Sequence, residues 1–253
     1  MSPGYTAGFA PIYNARWGGF AVTVAPRILE YYQAQPNGQR NHALLDVCCG
    51  SGQLARHFLE HGYHVVGLDA SEPMLKEAEK NAAGYLESGQ ARFVQGDAAN
   101  FSVDEQFGLV VSTYDALNHL DDLAALRSCF RCVLSAMVAD GVFIFDLNTR
   151  VGLQGWNSIA IEDTQDLMLV SRGIYDEAAG RASIHITGFA RMVEGAYERF
   201  EEITYNTLFD VAEVRAALLE AGAREVHFAR LKDLAAPLDD PESERRVFFV
   251  ARK

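Results

Sequence analysis

The sequence predicts an α/β fold built on a doubly wound, mostly parallel sheet, and three observations carry that expectation. Five short runs, ALLDV, HVVGLD, RFVQ, LVVS and VFIF, are continuously apolar. They lack the in–out alternation of half-buried strands and read as strands covered on both faces. Helical patterns separate them, which demands right-handed crossovers between parallel neighbours. Finally, 253 residues with 49% hydrophobic and 22% charged content suffice for one large core.

Taken in order, the first strand covers 43–47 and the following helix 52–61, with Leu54, Ala55, Phe58 and Leu59 on one face. The second strand, 64–69, leads to a helix capped by Ser71, with Pro73 in its first turn and Met74, Leu75, Ala78 and Ala82 spaced for burial. Strands at 92–95 and 109–112 follow. A long helix over 121–138, N-capped by Asp121, then feeds the fifth strand at 142–145. After Asp146 the rhythm changes. Strands at 159–161, 167–175, 183–192 and 197–205 are joined by the turn-like DTQD, DEAAGR and VEG, an antiparallel insertion. A helix over 211–220, closed by Gly222, precedes two β-rich runs, 225–229 and 247–251, whose loop holds Pro237 and Pro241. These two runs make a hairpin at the sheet edge.

The net charge of −12 repels nucleic-acid phosphates and anionic membranes and leaves a small molecule as the expected partner. Four cysteines, Cys48 and Cys49 adjacent, do not form a secreted disulfide framework and imply a reducing, cytoplasmic setting. No apolar stretch reaches the ~20 residues of a membrane span, and no basic start precedes an apolar run. We therefore expect a soluble, unprocessed protein, monomeric or homodimeric.

Ligands of doubly wound sheets sit at the carboxyl ends of the strands. The first strand leaves through Asp46-Val47-Cys48-Cys49-Gly50-Ser51-Gly52, small residues that let backbone amides approach a ligand at a helix N-terminus. Gly50-x-Gly52-x-x-Ala55 also satisfies the dinucleotide pattern. Asp69 ends the second strand and suits two vicinal ribose hydroxyls, in NAD or in other adenosine ligands. Asp97 leaves the third, and Thr113-Tyr114-Asp115-Ala116-Leu117-Asn118-His119 leaves the fourth.

With these motifs in place the chain resembles the class I S-adenosylmethionine-dependent methyltransferases over essentially its whole length. The family has a Rossmann-like seven-stranded sheet ending in an antiparallel hairpin. DVCCGSG is similar to its first motif, although Cys48 stands where a glycine is common. The resemblance implies S-adenosyl-L-methionine as cofactor and S-adenosyl-L-homocysteine as product. It implies that Asp46 orients the loop and the cofactor's ammonium, that Cys49, Gly50 and Gly52 line the methionine portion, and that Asp69 holds the ribose. Ala70 and Met74 would pack on adenine, Asp97 and the Ala98 amide would bond its edge, and Thr113 and Tyr114 would border the methyl group. The charge pattern agrees. Asp46, Asp69 and Asp97 suit a sulfonium and an ammonium, whereas a pyrophosphate would meet carboxylates with no Arg or Lys between Asp46 and Gln53 to offset them.

Four segments follow: an N-terminal aromatic lid or helix at 1–40, the cofactor-binding core at 41–148, the insertion as substrate lid at 149–206, and the closing helix and hairpin at 207–253. In the first, Tyr13 and Arg16 are candidates to approach the cofactor, by analogy with lids of related enzymes; capping the core is the other use of such aromatics. In the insertion, Trp156, Tyr175, His185, Phe189 and Tyr197 are candidates to face substrate. The insertion carries five arginines against nine acids, which disfavours anionic acceptors and tolerates amines.

Methyl transfer needs alignment above all, and at most one base. His119 is the candidate, with an ordinary pKa near ~6.5. The Asn/Asp-Pro-Pro-aromatic motif of nucleobase methyltransferases is absent, so the expected acceptor is an amine or hydroxyl of a small metabolite. Two other readings fit the same residues: a protein of this fold that holds the cofactor without transferring methyl, and a zinc hydrolase using His57 and His61 of an H-x-x-E-H pattern. His57, Glu60 and His61 fall on the solvated helix face, and Cys129-x-x-Cys132 lies within a helix, so no metal site is assigned.

Overall fold

The computed structural model describes residues 5–192 and 195–253. The first four residues of the 1–40 segment and most of the VEG turn therefore lie outside the described residues. Two helices, α1 (Ala10–Arg16) and α2 (Gly19–Gln33), precede β1 (Ala43–Val47). The parallel units follow as α3 (Gln53–Glu60), β2 (His64–Asp69), α4 (Glu72–Asn81), α5 (Ala83–Glu87), β3 (Ala91–Gln95), β4 (Phe107–Ser112), α6 (Leu123–Ala136) and β5 (Met137–Asn148). Then come α7 (Arg150–Gln154), the insertion strands β6 (Ser158–Asp163), β7 (Leu167–Asp176), β8 (Arg181–Arg191) and β9 (Tyr197–Thr207), and finally α8 (Val211–Glu220), β10 (Glu225–Ala229) and β11 (Arg246–Arg252).

Seven strands form one sheet in the order β10-β11-β5-β4-β1-β2-β3. The last five are parallel, and β11 runs antiparallel to both β5 and β10. This is the mostly parallel, doubly wound sheet expected, and β6 to β9 form a separate antiparallel sheet inserted after β5. Two apolar layers cover the large sheet. Phe130 and Val133 of α6 pack with Val214 and Leu218 of α8 on one face; Val24 and Ile28 of α2 pack with Leu54 and Phe58 of α3 on the other. Each such side chain contributes ~1.5–3 kcal/mol when buried.

Local signals set the helix starts. The Ser71 hydroxyl accepts the Met74 amide at 3.4 Å to begin α4. For α6 the cap is Asp122, not Asp121: the Asp122 carboxylate accepts the Ala125 amide at 2.8 Å, one residue later than the sequence suggested, because both neighbours are aspartates and only register decides between them. A third cluster, Phe9, Leu167, Leu169, Ile186 and Phe200, seats α1 on one face of the inserted sheet. The helix thus spans the gap between the two sheets. No helix of the described residues is long and apolar enough to cross a membrane.

Candidate active site

The parallel strands deliver their exits to one edge of the sheet. Leaving β1, Cys48 adopts φ 60°, a left-handed conformation that favours glycine. Cys48 therefore makes the turn for which glycine is common, at a small conformational cost. Gly52 follows at φ 70°, and a Cβ there would stand 2.9 Å from the Ala78 Cβ; only glycine lets α3 start this close to α4. The Gly50 amide donates to Asp69 Oδ2 at 2.8 Å and the Ser71 amide to Asp69 Oδ1 at 2.8 Å. One carboxylate thus ties the exits of β1 and β2 together. Met74 is buried under this turn, its methyl lying against Gly50.

Asp46 is 2% exposed, and its Oδ2 has no hydrogen-bond partner. Burial, reinforced by the charge of Asp69, pushes its carboxyl up to about 8. It borders a small cavity of about 60 Å³ that Tyr13, Cys49, Gly50, Thr113 and Tyr114 also line. A bound ammonium would supply both the missing donor and the missing counter-charge. The donor set therefore fits the cationic end of the cofactor.

The β4 exit is held in an unusual shape. Tyr114 and Asp115 both take left-handed backbones, φ 69° and 49°, and the Asp146 carboxylate accepts both of their amides, at 2.7 and 2.9 Å. Two fixed hydrogen bonds offset a strain of order 1–3 kcal/mol per residue. Arg246, at the start of β11, donates to Asp115 at 2.6 Å and also to Asp146; Asn206 of β9 donates to the other Asp115 oxygen at 2.7 Å. The Arg246 guanidinium lies 4.9 Å from the Phe20 ring centroid, and Phe20 stacks on Tyr114 at 4.4 Å. Two carboxylates hold that guanidinium charged well beyond its ordinary range despite its burial.

Beyond Tyr114 a larger cavity of about 240 Å³ opens. Tyr5, Phe9, Tyr13, Trp17 and Trp156 make it aromatic, Ile184, Ile186 and Thr204 of the insertion form its far wall, and Asp115, His119 and Arg246 also line it. Tyr13, Trp17 and Tyr114 border both cavities, so the two are neighbours across a shared aromatic partition. His119 ends a 3-10 turn, Ala116–His119. Burial lowers its pKa below the ordinary value, against the opposing pull of Asp115 and Asp69. The imidazole is neutral at pH 7 and free to accept a proton. Overhead, the Ser71 hydroxyl donates to the Tyr5 carbonyl at 3.0 Å and the Thr6 amide to Glu202 at 2.9 Å, binding the N-terminal segment to both sheets.

Comparison with known proteins places this geometry. Residues 44–136 match the model of a methyltransferase domain. A dTDP-3-amino-3,4,6-trideoxy-α-D-glucopyranose N,N-dimethyltransferase of Streptomyces venezuelae is 28% identical over 186 residues, 72% of this chain and 75% of that one. A ubiquinone biosynthesis O-methyltransferase of Pasteurella multocida is 30% identical over 163 residues, 60% of this chain and 64% of that one. A solved S-adenosylmethionine-dependent methyltransferase from Clostridium acetobutylicum superposes with TM-score 0.80 at 21% identity, covering 97% of each chain. The chain thus carries a methyltransferase domain over residues 44–136 within the fold of the S-adenosylmethionine-dependent methyltransferases.

In this methyltransferase the candidates do not all converge. Asp46, Cys49, Gly50, Thr113, Tyr114 and Tyr13 meet at the small cavity, and Asp69 and Met74 adjoin it through Gly50. Ala70 and Asp97 are exposed at the ends of β2 and β3, with Ala98 buried beside them; none of the three lines either cavity. Arg16 points away. It lies one turn along α1 from Tyr13, on a neighbouring position of the helix surface, but its guanidinium pairs with Glu162 of β6 and it lines neither cavity.

The insertion corrects several expectations. Trp156 lines the cavity, but Tyr175 is buried in a separate cluster with Leu153 and Ala182. His185 and Phe189 occupy odd positions of β8, opposite in face to the cavity-lining Ile184 and Ile186. Tyr197 is exposed, its hydroxyl donating to the Gln165 carbonyl. In α3, Glu60 is engaged by Arg56 at 2.9 Å, and His61 Nδ1 sits 2.7 Å from the His57 carbonyl oxygen. Among the described residues no three His, Cys, Asp or Glu side chains group as a metal site requires.

Sequence reasoning missed Tyr5, Trp17, Asp146, Asn206 and Arg246. Asp146 carried a signal: an acid inside the run VFIFDL must find a cation or several donors when buried. Arg246, opening the apolar run VFFVA, was the natural counterpart.

Proposed function

We propose that this methyltransferase transfers a methyl group to an amine or hydroxyl of a small-molecule metabolite. The observation that carries the reading is the aromatic cavity of about 240 Å³ beside the Asp46 pocket, of a size for one ring system. Asp46, Cys49, Gly50 and Gly52, with Thr113 and Tyr114, would hold the methionine portion of the cofactor. Asp69, Ala70, Met74, Asp97 and Ala98 would hold the nucleoside, with Tyr13 closing from α1. When bound, the cofactor supplies an electrophilic methyl on a sulfonium for in-line displacement.

The chain itself has three tasks. The partition of Tyr13, Trp17 and Tyr114 aligns the acceptor with that methyl and excludes water, and alignment is the main contribution such a reaction needs. Neutral His119 takes the proton of the attacking amine or hydroxyl. Asp115 and Asp146 share the single guanidinium of Arg246, and this excess of carboxylate behind the cavity favours an ammonium-bearing acceptor over an anionic one. Arg246 is committed to two carboxylates, so a phosphate entering the cavity would find no unpaired cation. The relatives named as an amino-sugar N,N-dimethyltransferase and as an O-methyltransferase support nitrogen or oxygen as the nucleophile.

The test is a methyl-transfer assay across cyclic amines, alcohols, phenols and their phosphorylated counterparts. Turnover is expected for members of the first three groups. Efficient turnover of phosphorylated or polycarboxylate acceptors, with the neutral compounds inert, would overturn the reading.

A further inference from the structure

The 3-10 turn Ala116–His119 leaves β4 and lies beside the last residues of β5 and β9. Within it Asn118 is 0% exposed, and its amide is engaged on every side. Nδ2 donates to the Thr207 carbonyl at 2.9 Å and to the Asn148 carbonyl at 3.3 Å, while Oδ1 accepts the Asn148 amide at 2.9 Å. The orientation is unambiguous, because a flipped amide would set its oxygen against two carbonyls and its NH2 against a donor. All three partners are backbone groups of strand ends, Asn148 closing β5 and Thr207 closing β9. One side chain therefore ties the turn to both sheets at once.

β9 is an edge strand of the inserted sheet, and the turn covers its open side. Carbonyls two residues apart on a strand leave it in the same direction. Thr207 and Tyr205 accordingly both reach the turn: the first accepts from Asn118, and the second accepts a ring N–H of His119. Between them the Asn206 side chain donates to Asp115, at the start of the turn, at 2.7 Å. The preceding residue, Thr204, lines the acceptor cavity. Four consecutive residues of β9 thus shape the acceptor wall and grip the turn that carries the imidazole. With one ring nitrogen committed as a donor, the other carries the lone pair, and the tautomer is set.

We propose that Asn118 is a positioning residue for His119, tying the turn to β5 and β9 so that the strand that walls the acceptor also aims the base that deprotonates it. The proposal rests on the reading of His119 as that base. Acceptor and base are then placed by the same stretch of β9, and a small shift of the turn separates the lone pair from the proton it must take.

Two measurements on the full chain test it. In the first, kcat and KM are compared for wild type, Asn118→Ala, His119→Ala and the double variant, with the cyclic amine of highest turnover as acceptor. Asn118→Ala should lower kcat by about 10-fold, part of the ~100-fold carried by the base, with KM and cofactor affinity retained. It should lower kcat no further in the His119→Ala background. In the second, nitrogen-15 spectra of the histidine rings, with the His119 signals identified by their loss in His119→Ala, should show one protonated and one bare nitrogen in the wild type and two averaged nitrogens in Asn118→Ala. Asn118→Ser, whose hydroxyl is too short to span all three partners, gives the same readouts if the alanine variant does not fold. An unchanged ring pattern in a folded Asn118 variant overturns the proposal whatever its turnover. A loss of kcat of equal size in the His119→Ala background also overturns it. Near-native turnover of His119→Ala is the separate failure of the base itself and sinks both readings.

Discussion

The two sheets of this methyltransferase solve opposite problems. The seven-stranded sheet buries both faces and exposes chemistry only at the strand ends, so its functional groups are backbone amides, glycines and single acids at fixed exits. The inserted four-stranded sheet keeps one face for the site and presents its functional groups from mid-strand, at every second residue. The first arrangement recognises a ligand by position along the chain. The second lines a cavity by side-chain parity, and a shift of one residue would exchange its two faces.

The largest effect that would sharpen this contrast lies where the two sheets are joined. Arg246→Met leaves Asp115 and Asp146 buried without their cation, and breaking such a pair costs about 3–5 kcal/mol. Thermal unfolding should show the loss, whereas an unchanged midpoint would mean that the two halves are not coupled through this network. Next, His119→Ala should lower turnover by about 100-fold at pH 7, the scale of a lost general base, with cofactor affinity unchanged in calorimetry. Near-native turnover at pH 7 and below would remove the histidine from the mechanism. Because burial lowers its pKa, wild-type activity should hold at pH 6.5 and decline only in more acidic buffer.

Asp69→Ala should weaken cofactor binding on the order of 100-fold, since hydrogen bonds to a charged group contribute about 1.5–3 kcal/mol each; tighter binding of NAD than of S-adenosylmethionine would overturn the cofactor site itself. A smaller effect concerns Asp46. Its folded pKa, about 8, stands above its ordinary 3.8, so in this range the folded state binds more protons than the unfolded state. This group's contribution to stability therefore falls as pH rises from about 4 to 8. Asp46→Asn should raise the cofactor-free melting temperature at pH 8 and leave it little changed at pH 4. Calorimetry of cofactor binding at pH 7, in buffers of different ionisation enthalpy, should detect proton release that the same variant abolishes. Smallest of all, Arg16→Ala should change stability by less than ~1 kcal/mol, as exposed ion pairs do, with no effect on cofactor affinity. A large loss of affinity would return Arg16 to the site.

The contrast between the sheets also explains what the sequence disclosed. β1, β2, α8 and β10 fall where periodicity puts them, and the Asp46–Gly52 turn and Asp69 are legible because glycine geometry and strand exits are local properties. The acceptor side is not local. Trp17 and Tyr5 reach the cavity only because α1 docks on the inserted sheet through Phe9 and Phe200. Arg246 meets Asp146 only because β11 pairs antiparallel with β5, which sets Arg246 against Asn148. In the insertion, hydrophobic residues stand on both faces, so alternation could not say which face was inward. His185 and Phe189 were therefore as plausible as Ile184 and Ile186.

That doubled alternation has an evolutionary consequence. Along β8 and β9, neighbouring codons answer to different selective pressures, those for Ile184, Ile186 and Thr204 to the compound being modified and those between them to the outer surface. A lineage can therefore acquire a new acceptor by substitutions at every other position while the outer face stays as it was. The converse drift is equally open.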